Sequence, residues 1–325
     1  MKKRIVYILP VLLLSMSLQT SKPKLYVIGD STASIYAASL YPRTGWAQIL
    51  QDYFISDSVS VQDKAVSGRS SRSFYDEGRW TPVKNALNKG DYVIIQFGHN
   101  DEKTDDATRG TLPGSTFKNY LSIYIDDAIA KGAIPVLATP IMRNSWDGSV
   151  MKNSHVTADG DYPQAIRELA AAKGIGLIDA TELTKTYFEK IGRDSTTNLF
   201  MNLTAGTWPN YPDGNSDNTH LQEPGARAVA QLIVDDIVRQ NWMPIASWVK
   251  NNTTALTRSP DAPKHIPEEL RTGDPLTNEM MTGFDLRGRQ LPSAMFSGLH
   301  PANGVFLFHR KIAGTTGING KVRVQ

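Results

Sequence analysis

Two short stretches of the sequence carry the residue types that nucleophilic acyl transfer needs. Ser31 stands in VIGDSTAS, directly after an apolar run, and Asp217 and His220 stand three positions apart in SDNTHLQEPGA. A serine hydroxyl is a weak nucleophile unless an imidazole accepts its proton, and a carboxylate must orient that imidazole. The D-x-x-H spacing allows the carboxylate and the ring to lie in one turn. These residues predict a triad of Ser31, His220 and Asp217, although the familiar G-x-S-x-G motif is missing.

The same chemistry needs hydrogen-bond donors for the negative charge that develops on the substrate oxygen. Two further stretches offer them: SGRSSRSF contains Gly68, which has no side chain to obstruct a ligand, and GHNDE contains Asn100. We expect an oxyanion hole made of the backbone N–H groups of Ser31 and Gly68 and the side-chain amide of Asn100.

Each of these residues also has an ordinary structural explanation. A serine after a strand is usually a helix N-cap, and a glycine often serves only a tight turn. Asp30 is interpreted as a structural acceptor without a catalytic role. His99 is expected to pack or to cap. His155 is interpreted as structural or exposed, because no carboxylate lies near it at a useful spacing.

Sugar contacts are predicted less directly, from side chains in loops near these stretches. The candidates are one cation and three indoles: Arg69, Trp80, Trp146 and Trp208. Solvated cations and salt bridges explain an arginine equally well, and core packing explains most tryptophans.

The composition excludes several other kinds of site. The chain has no cysteine, so disulfides, cysteine nucleophiles and thiolate zinc sites are excluded. Adjacent acids such as Asp105 and Asp106 point in different directions on a helix and are interpreted as solvated faces. No metal and no cofactor are expected.

The elements that must position these residues alternate in type along the chain. Short apolar runs (LYVIG, VSVQDKAV, DYVIIQF, IPVLATP, GIGLIDA) are separated by amphipathic stretches, among them TGWAQILQDYF, Phe117 to Ala130, YPQAIRELAAAKG and GARAVAQLIVDDIVRQ. This alternation predicts parallel strands joined by crossover helices. We expect a three-layer α/β/α catalytic domain over residues 22–248, with the site at the carboxyl ends of the strands.

The two ends of the chain differ from this pattern. Residues 1–20 place three cations before a short apolar run, which is typical of a signal peptide, and predict a secreted or cell-surface protein. An N-terminal anchor or a buried first strand is the alternative. Residues 249–281 are polar and proline-bearing and are interpreted as a linker, and residues 282–325 as a small β-rich module.

The net charge of +3 equals the contribution of Lys2, Lys3 and Arg4, so a chain cleaved after residue 20 carries equal numbers of acidic and basic residues. The high pI of the whole chain therefore gives no reason to expect a nucleic-acid partner. We also expect no stable membrane insertion after signal cleavage.

The four stretches, in this order, resemble the sequence blocks of the SGNH (GDSL) hydrolase superfamily. GDST, GRSSRSF, FGHNDE and DNTH are similar in particular to the rhamnogalacturonan acetylesterase branch, over about residues 24 to 240. The resemblance implies a flavodoxin-like fold with a parallel sheet of about five strands. It also implies a metal-independent serine esterase acting on acetyl groups of plant cell-wall polysaccharide. Leu221 departs from the aromatic residue expected after the histidine.

The same residues and fold are compatible with other functions. An acetylxylan esterase or a lipid esterase would use the same chemistry, and a non-catalytic polysaccharide-binding protein could have inherited the same fold. The last forty residues are similar to the C-terminal sorting modules of some gliding-type bacteria, on matches at Asp285, Gly288, Arg289, Gly304 and Val305. A secretion machinery is therefore a candidate partner, and a plain accessory module is the alternative.

Overall fold

The structure is a computed structural model that describes residues 22–250 and, further along, the backbone of four strands between residues 281 and 324. The strands of the first part are β1 (Lys24–Gly29), β2 (Ser60–Asp63), β3 (Tyr92–Gln96), β4 (Ile134–Ala138), β5 (Trp146–Asp147), β6 (Val150–Met151), β7 (Val156–Thr157), β8 (Gly160–Asp161) and β9 (Gly176–Ile178). The helices are α1 (Ser71–Asp76), α2 (Trp80–Ala86), α3 (Lys118–Ala130), α4 (Tyr162–Lys173), α5 (Ala180–Ile191), α6 (Arg193–Thr197) and α7 (Glu223–Arg239).

Five strands form one parallel sheet in the order β2-β1-β3-β4-β9. Strand residues alternate between its two faces, so that Val27 and Ile94 lie in one buried cluster while Ile28 and Ile95 lie in the other. The first cluster includes residues of α5 and α7, and the second includes residues of α1 to α4. The predicted three-layer α/β/α fold is confirmed.

Helix ends follow the local signals of the sequence. Asp161 accepts a hydrogen bond from the backbone N–H of Gln164 at the start of α4, and Gly174 ends this helix with φ of 63°. A left-handed residue at this position is the ordinary glycine stop. The helix predicted from Phe117 is observed from Lys118, after one π-helical turn over Pro113–Phe117.

The stretch TGWAQILQDYF is not the regular helix that its pattern predicts. It forms turns and a short 3-10 helix, Leu50–Tyr53. Its backbone is tied to the loop after β1, because the N–H of Trp46 donates to the carbonyl of Thr32 at 3.0 Å. A Cβ on Gly45 would stand 2.2 Å from the carbonyl oxygen of Ser34, so only glycine allows this approach. The segment supports a loop instead of continuing a helix.

The C-terminal strands are β10 (Met281–Phe284), β11 (Gln290–Leu291), β12 (Gly304–Ile312) and β13 (Thr315–Val324). They form an antiparallel sheet in the order β11-β10-β12-β13. Residues 1–21 and 251–280, which include the predicted signal peptide and most of the predicted linker, lie outside the described residues. Among the helices of the described part, none is long and apolar enough to cross a bilayer.

Candidate active site

Ser31 lies two residues after the end of β1, at the carboxyl edge of the sheet, and is 6 % exposed. The neighbouring carboxylate of Asp30 is fully buried and accepts hydrogen bonds from the backbone N–H of Thr32 at 2.9 Å and from the amide of Gln96 at 3.2 Å. Burial raises the pKa of Asp30, against the hydrogen bonds from the backbone and side chain of Thr32. The hydroxyl of Tyr36 donates to the carbonyl of Ser31 at 2.6 Å. The backbone around Ser31 is therefore held from both sides.

Asp217 and His220 lie in the loop before α7 and form a direct pair. Nδ1 of His220 is 2.7 Å from Oδ2 of Asp217, and Oδ1 of Asp217 accepts the backbone N–H groups of Thr219 and His220 at 2.8 and 3.0 Å. Burial raises the pKa of Asp217, but the hydrogen bonds from the side chain and backbone of His220 outweigh it and hold the pKa well below the usual range.

An ionised carboxylate can only accept hydrogen bonds. Nδ1 of His220 must therefore carry the proton that it shares with Asp217. In the neutral ring this leaves Nε2 unprotonated, which is the form that can accept a proton from a hydroxyl. The geometry of the pair fixes the tautomer that a general base requires.

A short segment of backbone joins the histidine loop to the serine loop. The N–H of Thr44 donates to the carbonyl of Leu221 at 3.0 Å, and the N–H of Glu223 donates to the carbonyl of Pro42 at 3.1 Å. Since the same segment is tied through Trp46 to Thr32, the residue after His220 and the residue after Ser31 are linked within a few bonds. The side chain of Leu221 itself is buried in the core.

Arg43, which no sequence pattern singles out, lies beside Asp217 and His220. Its Nη2 is 3.0 Å from Oδ2 of Asp217 and 3.1 Å from Nδ1 of His220, and its guanidinium stands 5.4 Å from the ring centre of Tyr36. Because the hydroxyl of Tyr36 binds the carbonyl of Ser31, these contacts connect the serine loop to the pair.

The predicted oxyanion donors come from the next two loops. Gly68 has φ of 79°, and apart from its two chain neighbours no heavy atom lies within 4 Å of the place where a Cβ would stand, so a ligand has room on that side of Gly68. Asn100 is 3 % exposed, and its Nδ2 donates to the carbonyl of Arg69 at 3.1 Å while its Oδ1 accepts from Nζ of Lys103 at 3.0 Å. The acceptor on one side and the ammonium on the other allow a single orientation of this amide.

Asp101 binds the Gly68 and Asn100 loops to each other. Its buried carboxylate accepts from the backbone N–H and the hydroxyl of Ser71 at 3.0 and 2.5 Å, from Thr111 Oγ1 at 3.1 Å and from the N–H of Gly98 at 3.1 Å. Burial raises the pKa of Asp101 to about 7. The first turn of α1 and the loop after β3 are therefore held together by one side chain.

Arg143 connects the Asn100 loop to the histidine loop. It donates to the carbonyl of His99 and to Oγ1 of Thr219, both at 3.2 Å, and it forms an ion pair with Glu102. The prediction that His155 has no carboxylate nearby was wrong, since its Nδ1 is 2.9 Å from Oε2 of the same Glu102. The two residues are far apart in sequence, and the fold brings them together.

His99 has no catalytic geometry. Both of its ring nitrogens are buried without a partner, and burial, the largest effect, lowers its pKa well below the usual value. Its ring packs edge-to-face on His155 at 4.6 Å between centres. This agrees with the expectation that His99 packs inside the fold.

The four predicted sugar contacts differ in what they can offer. Trp80 is 2 % exposed and donates from Nε1 to Asp127, so it has no face for a sugar ring and its predicted contact is corrected to a core role. Arg69 is paired with Glu77 at 3.0 Å. Trp146 is half-buried on β5, with Arg193 over its ring at 5.7 Å. Trp208 is half-buried and packs edge-to-face on Tyr41.

Comparison with known proteins identifies a family, and relatives that are named as rhamnogalacturonan acetylesterases. The family model of the GDSL-like lipase/acylhydrolase family matches residues 27–228. The chain is 38% identical over 215 residues to rhamnogalacturonan acetylesterase RhgT of Bacillus subtilis, covering 66% of this chain and 89% of the relative. It is 30% identical over 234 residues to rhamnogalacturonan acetylesterase of Emericella nidulans, covering 66% and 84%.

A solved structure supports the same fold. The crystal structure of the Bacillus subtilis protein YxiM matches with a TM-score of 0.57 and 27% identity, over 69% of this chain and 58% of that one. The likeness therefore spans little more than half of that protein. With the family model covering more than half of the chain, the family predicted from the four sequence blocks is confirmed: this chain belongs to the GDSL-like lipase/acylhydrolase family.

Proposed function

We propose that this protein is a secreted serine esterase that removes O-acetyl groups from plant cell-wall polysaccharide, with rhamnogalacturonan as its preferred polymer. The observation that carries the substrate class is the 38% identity to a rhamnogalacturonan acetylesterase over 89% of that relative. The hydrogen-bonded pair of Asp217 and His220 supports the mechanism, because it prepares the ring to accept a proton.

In the first half-reaction Oγ of Ser31 attacks the carbonyl carbon of the acetyl group, and its proton passes to Nε2 of His220. The N–H groups of Ser31 and Gly68 and the amide of Asn100 donate hydrogen bonds to the carbonyl oxygen and stabilise its negative charge. The C–O bond to the sugar then breaks, and the sugar oxygen leaves with the proton from His220. Asp217 stabilises the imidazolium between these two steps.

In the second half-reaction His220 takes a proton from water, and the resulting hydroxide equivalent attacks the acetyl-serine. Collapse of this intermediate releases acetate, and the proton returns to Oγ of Ser31. The chemistry is complete with the residues named and water, so acetate and the free sugar hydroxyl are the products.

The test measures acetate release from acetylated rhamnogalacturonan and from acetylated xylan at equal ester concentration. The proposal requires faster release from rhamnogalacturonan, and Ser31→Ala should reduce the rate by several orders of magnitude. Ser247→Ala, which changes an exposed hydroxyl bonded to the carbonyl of Pro244, is the matched control. Faster release from acetylated xylan would show that xylan, and not rhamnogalacturonan, is the preferred polymer. A Ser31→Ala variant with normal rates would show that Ser31 is not the nucleophile.

Export is proposed on the cationic and apolar pattern of residues 1–20 alone. The N-terminal sequence of the protein recovered outside the producing cell tests it. A mature chain that begins near Ser21 supports export by a cleaved signal peptide, and a full-length chain retained in the cell contradicts it.

A further inference from the structure

Lys103 makes an unusual contact next to the predicted oxyanion hole. Its Nζ donates to Oδ1 of Asn100 at 3.0 Å. This contact occupies Oδ1 of Asn100, while Nδ2 of the same amide donates to the carbonyl of Arg69. An asparagine amide has two N–H donors, so one remains for the substrate oxygen.

Nζ of Lys103 is hydrogen-bonded to a neutral amide although two carboxylates lie nearby. Glu102 and Asp106 both lie close enough to act on Lys103 electrostatically, yet within residues 22–250 no carboxylate comes within ion-pair distance of Nζ. Asp106 is paired with Arg109, and Glu102 with Arg143 and His155. Both neighbouring carboxylates therefore have other partners, and Nζ of Lys103 is bonded to the amide oxygen of Asn100 instead.

We propose that Lys103 is a positioning residue for ester hydrolysis, which fixes and polarises the amide of Asn100 so that its remaining N–H is a stronger donor to the oxyanion. This inference rests on the proposed acyl transfer at Ser31. Two effects are involved. The cation permits only the amide orientation that turns nitrogen toward the Arg69 carbonyl, and it draws electron density toward Oδ1, which makes the N–H groups more acidic.

The effect belongs to the transition state, because the oxyanion exists only there. An interaction made only in the transition state lowers kcat when it is lost, with little change in KM. Loss of an entire oxyanion donor costs about 10²- to 10³-fold in kcat. Weakening one donor should cost less, and we expect about tenfold.

The experiment is a double-mutant cycle with p-nitrophenyl acetate, a neutral substrate that needs no polysaccharide site. Lys103→Met keeps the length of the side chain and removes the charge. It should lower kcat about tenfold while KM stays within about twofold. Asn100→Ala removes the donor, and in that background Lys103→Met should change kcat by less than about twofold, because the lysine then has nothing to act through. Lys103→Arg, which restores a cationic donor, should recover most of kcat.

Lys131→Met is the matched control, since Lys131 is exposed at the end of α3, before β4, at the opposite edge of the sheet. Thermal unfolding of each variant reports any structural loss separately. An unchanged kcat in Lys103→Met overturns the inference, as does an equal loss in the Asn100→Ala background.

Two outcomes separate this inference from the proposed function. If Lys103→Met raises KM for acetylated rhamnogalacturonan and leaves p-nitrophenyl acetate hydrolysis unchanged, the lysine binds the polymer and the positioning role is wrong, while the esterase function stands. If the wild-type rate on p-nitrophenyl acetate does not exceed that of Ser31→Ala, the mechanism fails and the inference fails with it.

Discussion

Nη2 of Arg43 donates a 3.0 Å hydrogen bond to Oδ2 of Asp217, the same oxygen that accepts the proton on Nδ1 of His220. Arg43 and Asp217 are separated by 174 residues, and both side chains are about one-fifth exposed. The contact places a permanent cation beside the imidazole of the predicted triad. Arg43 therefore helps to orient the carboxylate that is hydrogen-bonded to the ring.

Arg43→Met is expected to lower kcat/KM on p-nitrophenyl acetate about three- to tenfold, because Oδ2 of Asp217 loses a charge-assisted hydrogen bond and orients the imidazole less firmly. The loss should be partial, since the carboxylate keeps three donors, from the backbone of Thr219 and His220 and from the imidazole. Initial rates over a range of substrate concentrations measure it, and a rate equal to that of the wild type would show that Arg43 does not help to orient the carboxylate.

Asp101 predicts a pH dependence of stability. Burial raises its pKa in the folded protein to about 7 from the ordinary value of 3.8. Between these values the folded protein binds more protons than the unfolded chain, so this group's contribution to the free energy of unfolding falls as pH rises, and it is lowest above pH 7.

Asp101→Asn imitates the neutral acid and should flatten this dependence. Its amide nitrogen can donate to the hydroxyls of Ser71 and Thr111, and its oxygen can accept the N–H of Gly98. Urea denaturation at pH 5 and pH 8 measures it: the wild type should lose more stability than the variant between these values. Asp63, whose pKa is also raised to about 7 by burial, acts equally in both proteins and cancels in the comparison. An equal loss in both would show that Asp101 stays ionised in the fold.

The sequence predicted the parts of the site that are written as local patterns. Ser31 follows an apolar strand, and Asp217 and His220 share one turn, so each could be found without knowing the fold. Arg43 and Asp101 could not be assigned roles, because their partners are 174 and 30 residues away and only the packed sheet brings them together. Trp80 was misjudged for a related reason: its indole is paired with Asp127 on α3, and nothing near Trp80 in sequence indicates this.

Trp208 is the predicted sugar contact whose surroundings best fit the role. Its loop is fixed to the segment before Arg43, because Nδ2 of Asn210 donates to the carbonyls of Ala38 and Tyr41 at 3.1 and 2.9 Å. Exposed apolar side chains at Ile35 and Leu40 lie on that same segment. The Trp208 loop is therefore attached to the segment that follows Ser31 in the chain.

Trp208→Ala should raise KM for acetylated polysaccharide about fivefold, since an aromatic contact is worth about 0.5–1.5 kcal/mol. Hydrolysis of p-nitrophenyl acetate should stay within about twofold, because that substrate has no sugar ring to pack on the indole. Trp146→Ala, at a half-buried indole on β5, is the comparison. A parallel loss on both substrates would mean that Trp208 supports the fold of the loop and does not contact sugar.

The end of the catalytic domain can be located more closely than the sequence allowed. The predicted boundary is residue 248, but Val249 is 6 % exposed and packs in the core, and the N–H of Lys250 donates to the carbonyl of Tyr53 at 2.9 Å. Full burial of a valine contributes about 1.5–3 kcal/mol. A chain cut after Trp248 loses this side chain and this hydrogen bond, whereas a chain cut after Lys250 retains both.

We therefore expect the chain cut after Lys250 to keep the unfolding free energy of its catalytic domain and its full rate on p-nitrophenyl acetate. The chain cut after Trp248 should be less stable by about 2–4 kcal/mol, from the valine and the lost hydrogen bond together. Urea denaturation and the esterase rate measure the pair. Equal stability of the two chains would show that the packing of Val249 contributes little, and inactivity of both would show that the four C-terminal strands are needed for the catalytic domain to fold. Normal activity of the longer chain, with retention inside the producing cell, would support a sorting role for those strands, because only export would then depend on them.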